Sequence, residues 1–396
     1  MKTNLIYILG MMCLSGTVSA QTTVNYTEFE QKVLDYSQTL KQSVSQRTAM
    51  QKAMKAAKTA FFPAVDATGS YQYRINKYDM DFGGMAVPME HDSYSAEVGV
   101  VQPIYAGGSI YHTYKASQIQ SQIADKSVDL TTDNLIYAAE ASYWGTAAQK
   151  EMYKTMCQYV EIISQLTKVL QDKYDDGYIS KTDLIQMQTR LKEAELQRSS
   201  SYQSYQIALQ NMNVLMGLEP DKEVGLVDSI FVELPLPAYV GADAALNVRP
   251  DYAISQLDVD YQKRQVKLAA AKYNPSLSIG FKETWGTQML NISGETMFNS
   301  NVYASVKLPL FHWGARFKST AAQKAILLGK QYALQDKQDQ ITKEVAKAWT
   351  SLTENTRQID IAKENCKLAE ENLDLNTFSY TEGRLTISDV LSAQLT

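Results

Sequence analysis

Apolar residues recur every three or four positions along two very long stretches of the chain and every second position along short ones. In the first long stretch Val160, Ile163, Thr167 and Leu170 share a helical face, and Leu184, Met187, Leu191 and Ala194 continue it after a break. No proline interrupts Gly108 to Tyr174, and Gly145 is the single glycine inside it. That spacing predicts one helix of roughly 100 Å at about 1.5 Å per residue, packed on a neighbour as in a coiled coil. The short stretches alternate. Val65, Ala67, Gly69, Tyr71, Tyr73 and Ile75 fall on one side; Asp66, Thr68, Ser70, Gln72 and Arg74 fall on the other. Leu277, Ile279, Phe281 and Trp285 likewise alternate with Ser276, Ser278, Lys282 and Thr284.

One strand face is apolar and rich in aromatics, and the other carries hydroxyls and charges. A half-buried strand of a soluble sandwich has this pattern, and so does a transmembrane barrel strand with lipid outside and a wet lumen inside. The runs have about the length a tilted strand needs to cross a bilayer. Two hairpins cannot span a membrane alone, because their edges would leave backbone groups unpaired in lipid. Four such strands in one chain therefore demand closure between chains.

The chain repeats itself. Pro103 and Pro309, Gly177 and Gly383, Asp183 and Asp389, and Gln188 and Gln394 all stand 206 positions apart. Tyr105 thereby meets Phe311, Tyr143 meets Trp349 and Tyr174 meets Tyr380. Upstream, Pro63 meets Pro275 at an offset of 212, and a loop between the first two strands takes up the difference. Each half reads as a helical segment (about 26–60, and 241–272), two strands, a very long helix, a tight turn and a returning helix. Gly177 and Gly383 can take the left-handed conformation that ends a helix. Ser180 to Asp183 and Thr386 to Asp389 each read as a capping box that starts the next one. Between the halves, residues 224–237 read as a short strand and a linker, and "ALNVRPDYAISQ" restarts a helix.

Composition narrows the function. A formal charge of −5 provides no basic field for nucleic acid. Residues 1–20 read as a secretory signal: Lys2, an apolar run from Leu5 to Leu14, then Val18-Ser19-Ala20 before the cut. Cys13 follows Met12 rather than a small residue, which favours plain cleavage over a lipid anchor. Cys157 and Cys366 lie in different helical segments and form no disulfide framework. His91, His112 and His312 do not share the 206 offset, and no spacing points to a metal site or a catalytic triad, so no cofactor and no enzyme activity are expected.

The two halves, the prolines Pro103 and Pro309 between strand and helix, the "NVRPDY" restart and the Tyr-x-x-Gly-x-x-Ser/Thr-x-x-Asp tips together resemble the TolC family of outer-membrane efflux and secretion ducts. The likeness covers nearly the whole chain after the signal. It implies a mostly α fold with a small β part: long antiparallel helical hairpins forming an α-barrel, plus four strands per protomer in a trimeric 12-stranded transmembrane β-barrel. The implied organisation is a signal peptide at 1–20, a first repeat at 21–217, an equatorial linker at 218–240 and a second repeat at 241–396. The first repeat has strands at about 64–77 and 92–104 and a tip at 174–183; the second has strands at about 276–287 and 300–310 and a tip at 380–389. The implied function is the exit duct of a tripartite efflux pump or type I secretion system, in the outer membrane with its tunnel in the periplasm. The implied partners are two further copies, outer-membrane lipid, a periplasmic adaptor (membrane fusion) protein and an inner-membrane transporter of RND or ABC type. The alternatives are a periplasmic adaptor-like protein or a structural coiled-coil protein of the envelope.

The resemblance also places a periplasmic gate. In that family closure depends on a tyrosine before the second turn glycine bonded to an aspartate of the first hairpin, here Tyr380 and Asp183. A further contact joins an arginine to a threonine. Thr182 matches the threonine, but Leu385 stands at the arginine's position and Arg384 one place before it. Asp389 matches one ring of pore aspartates, and Ser392 replaces the second. Tyr174, Gly177, Ser180, Gly383 and Thr386 form the tips that would meet the adaptor. The same residues have local roles: Asp183 and Asp389 as capping carboxylates, Tyr174 and Tyr380 as packing at the hairpin end. Tyr73, Tyr94, Trp285 and Tyr303 read as a lipid-facing girdle. After Asp389 only seven residues remain, so the second returning helix reads as truncated. The seam of Ile341, Val345, Trp349 and Leu352 is then expected to stay wet.

Overall fold

The computed structural model describes residues 22–76, 79–81, 83–84, 86–88, 90–232, 235–287 and 295–396. The signal segment and Cys13 lie outside the described residues. Strand β1 (Thr22–Val24) leads into α1 (Tyr26–Tyr36) and α2 (Gln38–Thr59). Then come β2 (Ala64–Tyr73), the short strands β3 (Asp79–Asp81) and β4 (Ala86–Pro88), and β5 (Asp92–Ala106). Helices α3 (Ser109–Asp175) and α4 (Lys181–Leu215) follow, then β6 (Val224–Leu226), α5 (Ala242–Val248) and α6 (Pro250–Ala271). The chain closes with β7 (Ser276–Thr287), β8 (Thr296–Lys307), α7 (Ala315–Thr381) and α8 (Ile387–Leu395). Helices α3 and α7 have 67 residues each, as expected for two stretches free of internal proline.

The expected single helices that precede the strands are each broken in two. Ser37 leaves the helical region at φ −47° and ψ 116°, separating α1 from α2. Pro250 forces Arg249 into an extended conformation (φ −66°, ψ 122°), so α5 stops and α6 starts with the proline in its first turn. The first strand ends at Tyr73, short of the expected 77, and the last runs Thr296–Lys307 rather than 300–310.

Two compact units emerge, each drawing on both halves of the chain. One holds the N-terminal segment up to Ser37, Asp133–Pro235 and Ala369–Thr396. The other holds Gln38–Thr132 and Leu236–Leu368. In the first unit β1 and β6 pair in parallel, Val24 opposite Leu226, which the sequence pattern did not predict for residues 22–24. Val24, Phe29, Val33, Tyr143, Met212 and Val224 are buried around that pair. Tyr143 can be buried because its hydroxyl donates to the Asp228 carboxylate at 2.7 Å, and the same oxygen accepts the Tyr26 N–H at 2.7 Å. Burial, then the bond to Asp228, pushes the Tyr143 phenol well above its ordinary pKa.

The second unit holds an antiparallel sheet in the order β2-β5-β7-β8. Both edge strands, β2 and β8, are exposed at every position, while β5 and β7 are largely half-buried between them. In this unit α7 is mostly exposed, but its seam is not uniformly wet as expected. Ile341 is fully buried, and Trp349 packs edge-on to Tyr239 with ring centroids 5.2 Å apart. Leu352 stays exposed. Among the described residues no helix is long and apolar enough to cross a membrane.

Candidate functional site

Strand register sorts the sheet into two faces. On one, Val65, Val100, Phe281 and Val302 stand side by side across all four strands, with Gly69, Ala96, Trp285 and Phe298 in a second row. Tyr71 opposes Tyr94, and Tyr94 meets Trp285 at a ring distance of 5.7 Å. On the other face Thr68, Glu97, Thr284 and Asn299 form one row, and Asp66, Gly99, Lys282 and Asn301 another. Lys282 and Glu97 form an ion pair there, and the Ser70 and Ser95 hydroxyls bond at 2.9 Å. This face bounds an open hollow of about 490 Å³, lined in part by Gln72, Ser93, Thr284 and Asn299. Side chains alternate strictly along a strand, so the sheet has one largely apolar and one largely polar face.

Two residues depart from the expected faces. Tyr303 opposes Gly280, two places along from the Asn301–Lys282 pair, and therefore lies on the polar face with its ring over Gly280. It is therefore not on the face expected for a girdle; Tyr73, Tyr94 and Trp285 share the apolar face. Glu283 falls on that apolar face between Phe281 and Trp285, where its carboxylate accepts the Ser300 hydroxyl. Strand-to-helix passage is made beyond the prolines. Pro103 lies within β5 beside a register shift, and Pro309 lies just past β8.

The hairpin tips are built twice on one plan. At the end of α3 the Tyr178 N–H bonds the Lys173 carbonyl (2.8 Å) and the Gly177 N–H bonds the Tyr174 carbonyl (2.9 Å). At the end of α7 Arg384 bonds Ser379 (2.9 Å) and Gly383 bonds Tyr380 (3.0 Å) in the same way. Gly177 and Gly383 take φ +78° and +73°, which a side chain would strain. The Asp183 carboxylate then accepts the Ser180 hydroxyl (2.9 Å) and N–H (3.3 Å). Asp389 accepts the Thr386 hydroxyl (2.7 Å) and N–H (2.9 Å), bonds that hold its pKa below the ordinary carboxylate range.

Both tips share one apolar cluster in the first unit: Ile163, Leu170, Leu184 and Met187 with Ile387 and Val390. Tyr174 and Tyr380 are half-buried against it, and the Lys173 ammonium sits 4.7 Å above the Tyr380 ring. Burial, then the nearby charge of Asp183, raises the Tyr380 pKa. Among the described residues of this chain the two are not hydrogen-bonded. Thr182 and Arg384 are exposed at the tip surface.

A third constellation was not visible as a site in the sequence, although "NVRPDY" marked its place. Arg249 donates to both Asp251 oxygens (Nε 3.0 Å, Nη2 2.8 Å) and to Glu344 (2.7 Å). Lys337 reaches Asp251 at 2.8 Å. The bent restart between α5 and α6 is thereby clamped to α7. Burial opposes the charge on Asp251, but bonds from Arg249 and Lys337 outweigh it and hold its pKa at about 2. Among the described residues no three His, Cys, Asp or Glu side chains converge as a metal site would require.

A profile of the outer membrane efflux proteins matches residues 30–218 and 241–396. The alkaline protease secretion protein AprF of Pseudomonas aeruginosa is 21% identical over 278 residues, 68% of this chain and 57% of that protein. The chain thus spans a little over half the length of the curated relative it matches. The fold is similar to that of the outer membrane protein VceC of Vibrio cholerae (TM-score 0.79, 16% identity, 93% of this chain and 89% of that one). It is similar again to the CmeC outer membrane channel of Campylobacter jejuni (TM-score 0.80, 17% identity, 93% and 79%).

Proposed function

Since the chain belongs to the outer membrane efflux protein family, we propose that it is the outer-membrane exit duct of a tripartite efflux or type I secretion system. The observation that carries this reading is the two-faced sheet with both edge strands open. Three copies joined β2 to β8 would pair every edge and close a 12-stranded barrel, with the Val65–Val302 row toward lipid and the Thr68–Asn299 row toward water. The helical hairpins then form the periplasmic tunnel. The tips meet a periplasmic adaptor, and an inner-membrane transporter of RND or ABC type supplies the substrate.

The gate is proposed at the tips. Tyr380, already close enough to Asp183 to feel its charge, bonds that aspartate in the closed trimer, and Thr182 and Arg384 border the contact. Asp389, drawn three times around the axis, makes a ring of carboxylates that favours cations. The first test is conductance of the purified trimer in planar bilayers. Tyr380→Phe combined with Asp183→Ala is expected to raise single-channel conductance several-fold. Asp389→Ala is expected to lower the cation preference and the block by multivalent cations. Unchanged conductance in the double variant would place closure elsewhere, and no channel activity in any form would remove the duct reading. Asp183→Ala alone also removes the N3 carboxylate of the capping box that starts α4, a cost of about 0.3–1 kcal/mol, so folded trimer must be verified first.

A further inference from the structure

Helices α3 and α6 bound a hollow of about 440 Å³ in the second unit. Lys115, Gln118 and Gln122 line it from α3; Lys263, Arg264 and Lys267 line it from α6. Spacings of three and four put each set on one helical face. The two walls are tied together where they meet the strands. The Asn274 side-chain amide, just past α6, donates to the Gly107 carbonyl, just before α3, at 2.9 Å. A Cβ on Gly107 would lie 2.6 Å from the Ala271 carbonyl oxygen, so this approach of the helix ends requires glycine. Helix α3 continues β5 and α6 leads into β7, the two inner strands of the sheet. The hollow is thus built by a single chain, away from the edge strands β2 and β8 where another copy would join.

The chain as a whole is acidic, at −5, yet this hollow is basic. Its lining sets four cations against one carboxylate, Asp260, which already holds Lys263 at 2.8 Å. Lys115 is half-buried and donates to the neutral Gln118 oxygen at 3.0 Å. Arg264 is half-buried and Lys267 exposed, and neither makes an ion pair among the described residues. Lys330 and Lys337 of α7, by contrast, each meet a carboxylate of α6, Asp258 and Asp251. Lys263 and Lys267 stand one turn apart, where like charges weaken a helix. A half-buried guanidinium without a counter-charge adds to that cost. His112, three places before Lys115, registers the surplus: burial first, then the charges of Arg264 and Lys267, hold its pKa below the ordinary value. The internal duplication does not demand this lining, since Ala321 stands 206 positions after Lys115 and Leu328 stands 206 after Gln122.

We propose that this hollow binds a small anion bearing two phosphoryl groups. A phosphoryl group carries about −1.5 to −2, so two of them answer the surplus of three positive charges around the hollow. The Arg264 fork holds one group bidentately, and the lysines act as point charges on both. Gln118 gives its oxygen to Lys115 and keeps its amide N–H donors for the ligand. Soluble diphosphates and the paired phosphates of a lipid headgroup share this chemistry, and the test tells them apart. The full chain in a non-ionic detergent is titrated by calorimetry with pyrophosphate, with inorganic phosphate, and with diphosphatidylglycerol dispersed in the same detergent, all at fixed ionic strength. One equivalent of pyrophosphate is expected to bind per chain, and inorganic phosphate more weakly. Arg264→Gln combined with Lys267→Gln is expected to weaken binding about tenfold or more. Lys126→Gln, an exposed cation farther along α3, is expected to leave it unchanged. Asp260→Asn removes the opposing carboxylate and is expected to tighten it. Pyrophosphate that the lipid does not displace assigns the site to a soluble anion; displacement at the same residues assigns it to a headgroup. Binding of neither probe at millimolar concentration, or equal binding by the double variant and the unchanged protein, overturns the proposal. If the double variant does not fold, Asp260→Asn decides, and unchanged or weaker binding there overturns it as well. Each chain carries its own hollow, so failure here leaves the barrel and the gate standing, and loss of the duct reading leaves this site standing.

Discussion

Ile279→Arg and Tyr71→Arg are expected to abolish assembly in the outer membrane, whereas Ser278→Arg and Thr68→Arg are expected to leave it intact. The substitutions differ by one position or a few, so composition and helix content cannot separate them. Ile279 opposes Ala304, and Tyr71 opposes Tyr94, on the face that carries Phe281 and Trp285. Ser278 and Thr68 lie on the face of Glu97, Lys282 and Asn299. A lipid-facing arginine costs about 2–4 kcal/mol at the bilayer midplane and less toward either boundary. In a closed trimer the cost is incurred three times, on the order of the whole stability of a folded domain. On the polar face the guanidinium stays in water. The measurement is the amount of heat-modifiable trimer in the outer-membrane fraction, with total chain quantified alongside. Equal assembly of all four variants would mean that the two faces see the same medium.

What the sequence disclosed, it disclosed through local periodicity and internal duplication. The turns at Gly177 and Gly383 and the capping aspartates each appear twice, 206 positions apart, and the structure builds both tips with the same hydrogen bonds. The two strand faces were legible for β2 and β7 because alternation is a property of neighbouring residues. Tyr303 departs from the face its aromatic ring suggests because parity, not residue type, decides the face: Asn301 and Ser305 flank it at even spacing, and the register puts all three on the polar face. The break at Ser37 left no trace because serine, unlike proline or glycine, is no strong signal for a helix end. The pairing of β1 with β6 joins segments far apart in the chain, and three residues are too few for a period.

The charged clamp at residues 249, 251, 337 and 344 was equally invisible, for its members come from segments far apart in the chain. The Asp251 side chain is only 11% exposed and holds two cations, Arg249 and Lys337. Asp251→Asn keeps its shape but removes the charge, leaving both cations half-buried with a single remaining carboxylate, Glu344. A pKa displaced from 3.8 to about 2 corresponds to about 2 kcal/mol of stability at neutral pH. The sign follows from the direction. The folded protein holds this carboxylate ionised more tightly than the unfolded chain does, so the increment is complete above the unfolded pKa and disappears as pH falls through about 2. The wild-type protein in detergent is therefore expected to lose several degrees of its unfolding midpoint between about pH 5 and 2 that Asp251→Asn, less stable at neutral pH, does not lose. Other carboxylates titrate in the same window, Asp389 among them. The quantity to read is accordingly the difference between the two proteins: large at neutral pH, small at the acid end of the window. A difference that stays constant across the window would mean that the Asp251→Asn exchange disturbs packing alone and that the clamp contributes nothing through its charge.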